Sequence, residues 1–300
     1  MKPAPFKYHA PTSVEEAVGL LADYGYDAKI LAGGQSLIPT MNFRLSQPSV
    51  LIDLNRIPDL GYITPTRDGG LRIGAMARHV AIEQSALVAD VTPLISETMP
   101  WIAHPQIRNR GTFGGSIAHA DPSAELPAVL LTLDGRVQAT SQRGRRWIGA
   151  DDFFVDLFTT ALEPDEMLTE VAFGPMPARS GAAMREVSRR HGDFALVGVT
   201  ALVELDAGGA CKDARMTYFS VGDGPVAAKQ AVAALIGQKP TAEIIQAAAD
   251  LAANADIPTP NADIHATLEY RRHLISVLGR QALTLAFERA AQSARQGGAK

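Results

Sequence analysis

The chain has 300 residues, 46% of them hydrophobic, a length for about two domains with enough apolar material to build their cores. Its 28 Lys and Arg stand against 32 Asp and Glu, and a net charge of -4 offers no basic footprint for nucleic acid. A single cysteine, Cys211, excludes an internal disulfide and a four-thiolate iron–sulfur cluster held by this chain alone.

Taken in order, Phe6 to His9 reads as a strand. A helix follows to Tyr24, capped by Thr12 or Ser13 because Thr12/Glu15 and Ser13/Glu16 both have capping-box spacing. Ala28 to Ala32 has strand character, Gly33-Gly34-Gln35-Ser36 breaks it, and Leu37 to Arg44 resumes as a short helix with Pro39 tolerated in its first turn. Val50 to Asp53 is a buried-type strand, and Leu60 to Thr64 with Leu71 to Gly74 form a hairpin. Val80 to Ala103 is expected to be mainly helical, His104 to Ser116 a polar loop ending in glycines, and Leu126 to Leu133 a helix. Strands are expected at Val137 to Thr140, Trp147 to Gly149 and Met167 to Phe173, then a linker at Gly174 to Pro177. Beyond it lie three antiparallel strands, Ala183 to Ser188, Phe194 to Leu205 and Ala214 to Val221. Helices at Val226 to Leu235, Thr241 to Ala253 and Leu268 to Ala294 close the chain, with Gln296 to Lys300 expected to fray.

The longest apolar stretch, Phe194 to Val203, falls short of the roughly 20 residues a bilayer span needs, so no transmembrane segment is expected. The first seven residues carry two lysines and two prolines where a signal peptide has its apolar region, which predicts a cytoplasmic protein. The seven histidines are scattered, without a His-Glu-x-x-His motif, and no protein-bound metal is expected.

Two glycine-rich turns carry the functional signal. Ala32-Gly33-Gly34-Gln35-Ser36-Leu37 stands where a strand gives way to a helix, and without Cβ atoms its glycines let backbone N–H groups approach an anion. Thr112-Phe113-Gly114-Gly115-Ser116, about 80 residues later, repeats the device, and two such turns facing one another would clamp the phosphates of a dinucleotide. Neither contains the Gly-x-Gly-x-x-Gly of a Rossmann site or the Gly-Lys-Ser/Thr of a P-loop, so NAD and ATP lose their usual support. Either turn taken singly also reads as an ordinary turn. Arg108 and Arg110 are candidates for steering phosphates, with a solvated or paired role as the ordinary alternative. His119 and Asp121 lack a nucleophile, and Gly114-Gly115-Ser116-Ile117-Ala118 misses the nucleophile elbow by its last residue, so a hydrolase is a poor reading.

The segment Ala32 to Pro39, with Leu51-Ile52-Asp53-Leu54, His104 to Ser116, Asp121-Pro122-Ser123-Ala124-Glu125-Leu126-Pro127 and Arg189 to Ala195, resembles the FAD-binding medium subunits of the molybdenum hydroxylases, the family of xanthine dehydrogenase and carbon monoxide dehydrogenase. The resemblance covers nearly the whole chain. It implies an α+β fold: a two-subdomain FAD module of the PCMH type, like that of the vanillyl-alcohol oxidases, over residues 1–176 (subdomains about 1–56 and 57–176). A smaller C-terminal domain with antiparallel strands and helices would occupy 177–290, leaving 291–300 as a frayed tail.

By the same resemblance, Ala32, Gly33, Gly34, Gln35, Ser36 and Leu37 would hold the FAD pyrophosphate from one side and Thr112, Phe113, Gly114, Gly115 and Ser116 from the other. Ile102 would line the adenine or flavin cavity, and Glu125 would accept hydrogen bonds from FAD hydroxyls. Leu168 and Arg185 match further flavin-site positions, and Phe194 the place where relatives set a tyrosine over the isoalloxazine. Ser116 replaces the family's common asparagine. With no His or Cys in the Gly33 to Ser36 turn, FAD is expected to be noncovalent. No residue of this chain is assigned as catalytic.

The implied function is an electron-transfer subunit of an oxidoreductase, carrying electrons from a partner's [2Fe-2S] clusters through FAD to an external acceptor. The implied partners are a small subunit with two [2Fe-2S] clusters and a large subunit with molybdenum cofactor, assembled as a dimer of heterotrimers. Substrate would be hydroxylated on the large subunit, with carbon monoxide, an N-heterocycle and an aldehyde as candidates. The alternatives are a stand-alone flavin reductase or oxidase of this fold and an FAD-free scaffold subunit.

Overall fold

Three parallel strands open the chain in the computed structural model, which describes residues 2–297. They are β1 (Lys7–His9), β2 (Ala28–Leu31) and β3 (Val50–Asp53), in the order β1-β3-β2. Helix α1 (Val14–Tyr24) makes the crossover and buries Ala17, Val18 and Leu21 against Val50 and Ile52. Its capping box is shared between two residues. Ser13 Oγ accepts the Glu16 N–H at 3.1 Å, while the Glu16 carboxylate accepts the Thr12 N–H at 2.8 Å. After β2 the glycine turn leads into helix α2 (Leu37–Asn42).

The second unit is an antiparallel sheet faced by short helices. Strands β4 (Ile63–Pro65) and β5 (Leu71–Gly74) form the expected hairpin. Helices α3 (His79–Glu83), α4 (Ala86–Val91) and α5 (Pro93–Thr98) follow, so the expected helical stretch is broken where Ser85 caps α4 and Pro93 starts α5. Next come α6 (Pro105–Arg108), α7 (Phe113–His119) and α8 (Glu125–Thr132). Then come β6 (Arg136–Ser141), β7 (Gly144–Gly149), α9 (Ala150–Phe153), the small hairpin β8 (Phe154–Asp156) and β9 (Thr159–Thr160), and β10 (Met167–Phe173). The sheet order is β4-β5-β10-β6-β7. Ile73, Val137, Leu168 and Val171 from the sheet meet Phe113, Ile117, Leu126 and Val129 from α7 and α8 in one core.

Residues 104–116 are therefore not the polar loop the sequence suggests. Thr112 Oγ1 accepts the Gly115 N–H at 3.1 Å, and the buried Phe113 and Ile117 anchor α7, so capping and packing override the poor helix propensity of two glycines.

The third sheet is antiparallel, in the order β11 (Ser180–Ser188), β12 (Ala195–Leu205), β13 (Cys211–Phe219) and β14 (Val226–Ala227). Strict alternation gives it two different faces. Ala183, Val197, Val199, Ala201 and Met216 pack under α10 (Lys229–Leu235), α11 (Ala242–Leu251) and α12 (Leu268–Gly297), whereas Met184, Thr200 and Phe219 turn toward α8 and the preceding unit. The second contact has a polar centre in which Thr132 Oγ1 lies 2.7 Å from Thr200 Oγ1 and 3.0 Å from Thr217 Oγ1. Helix α12 continues to Gly297, through the first part of the segment expected to fray. Residues 298–300 lie outside the described residues.

Among the described residues no helix is long and apolar enough to cross a membrane, and no group of His, Cys, Asp or Glu is arranged to hold a metal ion. Cys211 is buried, which pushes its thiol up to about 11.

Candidate functional site

The two glycine motifs touch. A Cβ placed on Gly33 would lie 2.5 Å from the Arg110 carbonyl oxygen and 2.8 Å from Gly111 Cα, and one on Gly115 would lie 3.3 Å from Ala32 Cβ. Only a residue without a side chain permits the first of these approaches. Segments about 80 residues apart in sequence thus meet backbone to backbone, because β2 ends beside the segment that leads into α7.

That segment is held by the continuation of β5. The Ala75 and Ala77 carbonyls accept the N–H groups of Gly114 (3.0 Å) and Phe113 (2.9 Å), and Gly111 O accepts the His79 N–H at 3.0 Å. With Gly115 N–H on Thr112 Oγ1 and Ser116 N–H on Thr112 O at 3.1 Å, the second motif has already committed these four donors. Phe113 is core, its ring edge-on to Phe173 at 6.1 Å. The second motif therefore presents shape and the half-buried Ser116 side chain rather than a row of free amides.

The first motif is different. Among the described residues the backbone N–H groups of Gly33, Gly34, Gln35, Ser36 and Leu37 find no acceptor. Gly34 has φ +73°, the alternation that turns successive amides into a concave nest for an anion. Gln35 is folded back, its Nε2 donating to Gly33 O at 2.9 Å. Five consecutive unsatisfied donors beside a second backbone wall fit a pyrophosphate, whose oxygens are acceptors only, and so fit FAD.

Glu125 opens α8 and is only 7% exposed; burial is the main reason its carboxyl is pushed up to about 7. On β11 the pairs Met184↔Thr200 and Glu186↔Gly198 put Glu186 on the face toward α8. It is equally buried, its Oε2 has no partner, and burial together with Glu125 pushes its carboxyl up to about 8. Arg185, one residue earlier, belongs to the opposite, α12 face, where its guanidinium meets Glu97 at 3.5 Å and the Met184 carbonyl at 2.8 Å. Arg289 of α12 shares the same Glu97. The cation expected at the flavin is thus already paired, and a buried carboxyl takes the inward position. Only the strand register separates the two, and short-range pattern carries no such information.

Ile102 and Leu168 are both buried in the core beneath the motifs. Arg108 is not available for phosphates. It is buried, ion-paired to Glu83 at 2.8 Å and bonded to the Ile102 carbonyl at 3.0 Å, whereas Arg110 is exposed. His119 packs against the Phe158 ring at 5.1 Å.

Phe194 is 67% exposed and lines a cavity of about 500 Å³ with Ser123, Asp193 and His265. Its segment leans on the lead-in to the second motif. Gly192 lies so close to His104 that a Cβ would come within 2.4 Å of the ring, and His191 stacks on Trp101 at 5.9 Å. Two residues that the sequence does not single out join the motifs: Asn55 donates through Nδ2 to Ala32 O at 2.9 Å, and Arg78 donates to both Asn55 Oδ1 and Arg110 O.

The sequence matches two families in tandem: one described as "FAD binding domain in molybdopterin dehydrogenase" over residues 4–176, and one described as "CO dehydrogenase flavoprotein C-terminal domain" over 182–286. It is 44% identical over 290 residues to the 6-hydroxypseudooxynicotine dehydrogenase complex subunit alpha of Paenarthrobacter nicotinovorans, covering 97% of each chain. It is 40% identical to the nicotine 6-hydroxylase medium subunit of the same organism, over 94% of this chain and 98% of the relative. The fold superposes on a chain of the carbon monoxide dehydrogenase of Hydrogenophaga pseudoflava with a TM-score of 0.92 at 39% identity, over 96% of this chain and 99% of that one. Tandem family matches, near-complete coverage of the relatives and a close superposition agree, and the chain belongs to the family of FAD-binding medium subunits of the molybdenum hydroxylases.

Proposed function

We propose that this chain is the flavin subunit of a cytoplasmic molybdenum hydroxylase that acts on an N-heterocycle, with FAD held noncovalently in the cleft between the two glycine motifs. The observation that carries the reading is the row of five unsatisfied amides, Gly33 to Leu37, set against the Arg110–Gly111 backbone. Bound there, FAD would supply an electron relay between iron–sulfur clusters of a partner and an external acceptor.

The residues of this chain bind and orient. The amides of residues 33–37 hold the pyrophosphate from one side, and Thr112 to Ser116 close it from the other, with the Ser116 hydroxyl as the free donor. Ala32 and Ile102 shape the walls, and Leu168 supports the floor from β10. Glu125 accepts from FAD hydroxyls, and the inward Glu186 is a second buried carboxyl whose pKa Glu125 helps to raise. Arg185 acts from behind the sheet by holding β11 to Glu97. Phe194, at the edge of the cavity it lines, would cover the isoalloxazine and keep water from it. The FAD module occupies 1–176 and the C-terminal domain 177–290.

The partners are a small subunit with two [2Fe-2S] clusters and a large subunit with molybdenum cofactor, assembled as a dimer of heterotrimers. An N-heterocycle is favoured over carbon monoxide and aldehydes because the relatives with 44% and 40% identity are named for 6-hydroxypseudooxynicotine and nicotine. Purification through a tag on this chain tests the reading. FAD, iron and molybdenum should co-purify, and dye-linked oxidation of pyridine and purine substrates should exceed that of carbon monoxide and aldehydes. A complex lacking FAD, or one that prefers carbon monoxide, refutes it.

A further inference from the structure

Arg110 O is the point at which the two motifs meet. Gly33 approaches it more closely than any Cβ would allow, and the same oxygen accepts a hydrogen bond from Arg78 Nη1. The other arm of that guanidinium, Nη2, donates to Asn55 Oδ1, and Asn55 Nδ2 donates to Ala32 O at 2.9 Å. Asn55 is itself oriented by Asp53, whose Oδ1 accepts the Asn55 N–H at 2.9 Å and whose Oδ2 accepts the Tyr8 hydroxyl at 2.6 Å. Arg78 also forms an isolated antiparallel bridge with Thr112, so its backbone is registered on the second motif while its side chain reaches the first.

We propose that Arg78 and Asn55 are positioning residues of the FAD site, a two-link clamp that sets the width of the cleft. The inference rests on the pyrophosphate reading of that cleft. A planar guanidinium with a fixed fork suits the task, since it bonds two acceptors at once at a defined separation. Without the clamp no hydrogen bond among the described residues ties Arg110 O to the first motif, since none of the N–H groups of residues 33–37 donates to it, and only the packing of Ala32 against the core that includes Met76 and Met167 keeps the two backbones together. The five amides then face a cleft of variable width, and FAD must order it on binding.

The experiment uses the full chain stripped of flavin and compares FAD, ADP and riboflavin as ligands of Arg78→Met, Asn55→Ala, the double variant and Arg78→Lys. ADP carries the pyrophosphate without the flavin, and riboflavin the flavin without the pyrophosphate. Each single variant is expected to bind FAD and ADP about tenfold more weakly, with riboflavin changed less than twofold. Two links of one chain fail together, so the double variant should be no weaker than the worse single one. Arg78→Lys keeps the charge but satisfies one acceptor, so it should fall between Arg78→Met and wild type with an unchanged melt of the flavin-free protein. It carries the test if Arg78→Met does not fold. Wild-type affinity for FAD in Arg78→Met, losses that multiply in the double variant, or equal losses for riboflavin and ADP would overturn the clamp. Failure of the wild-type chain to bind FAD would instead overturn the reading of the cleft.

Discussion

Replacing Gly33 by alanine should separate the two motifs by a calculable amount. The new Cβ would stand 2.5 Å from Arg110 O, and ordinary contact begins near 3.4 Å, so the two backbones must part by about 0.9 Å. Arg110 and Gly111 cannot yield cheaply, because Gly111 is bonded on both sides, its N–H to Ile107 O at 2.7 Å and its carbonyl to the His79 N–H at 3.0 Å. Overpacking of this kind costs about 1–3 kcal/mol of stability. The loss in FAD binding is of similar size. The free donor of the second wall is the Ser116 hydroxyl; a charge-assisted bond near 2.8 Å stretched by about 0.9 Å is no longer a hydrogen bond, and losing one costs about 1.5–3 kcal/mol, roughly a ten- to hundredfold fall in affinity.

Gly34→Ala provides the control. Its Cβ meets only the side-chain tips of Leu31 and Ile38, at 3.2 and 3.3 Å, so the cost is the strain of φ +73°, about 1–2 kcal/mol of stability, without movement of the opposite wall. Flavin fluorescence titrations beside denaturant melts measure both quantities. If Gly33→Ala binds FAD like wild type, the cleft is not where the pyrophosphate sits.

Phe194→Ala should cost less than about 2 kcal/mol, because a ring that is 67% exposed buries only about a third of the area a core phenylalanine does, and a core truncation costs about 3–5 kcal/mol. Flavin fluorescence and reoxidation by oxygen should change in that variant, and a large destabilisation with unchanged flavin properties would reject its covering role. Glu125 and Glu186 have folded pKa values raised to about 7 and about 8 from an ordinary 4.5, so the native state binds more protons than the unfolded one between those limits. Their contribution is complete below about pH 4.5 and is lost as pH rises through 7 and 8, of order 3 kcal/mol for Glu125 by itself. Urea midpoints of the flavin-free chain should fall from pH 5.5 to 8.5, and Glu125→Gln with Glu186→Gln should flatten that slope; an unchanged slope refutes the assignment. Isolated flavoprotein should bind FAD yet oxidise no heterocycle until both partners are added, and turnover by this chain alone would contradict the division of labour.

Local signals made much of the architecture legible. Ser13 and Glu16 mark the start of α1, the turn residues between Thr64 and Leu71 mark a hairpin, and the long apolar run of β12 marks a strand, which the structure covers on both faces. The two glycine motifs were legible for the same reason, since a strand-to-helix turn that must admit an anion needs consecutive residues without Cβ. A single cysteine alone places iron–sulfur chemistry outside this chain.

Everything that depends on who faces whom had to wait for the tertiary structure. The two motifs look equivalent in sequence, but Ala75, Ala77 and Thr112 consume the donors of the second, and among the described residues nothing consumes those of the first. Arg108 looks like a phosphate ligand until Glu83, 25 residues away, is seen to hold it. Arg185 and Glu186 are neighbours whose roles the pleat exchanges, because adjacent strand residues point to opposite faces and only the register with β12 says which face is inward. Asn55 and Arg78 carry no motif at all. Their meaning arises from hydrogen bonds that span 23 and 32 residues, and partners so distant are chosen by packing rather than by local sequence.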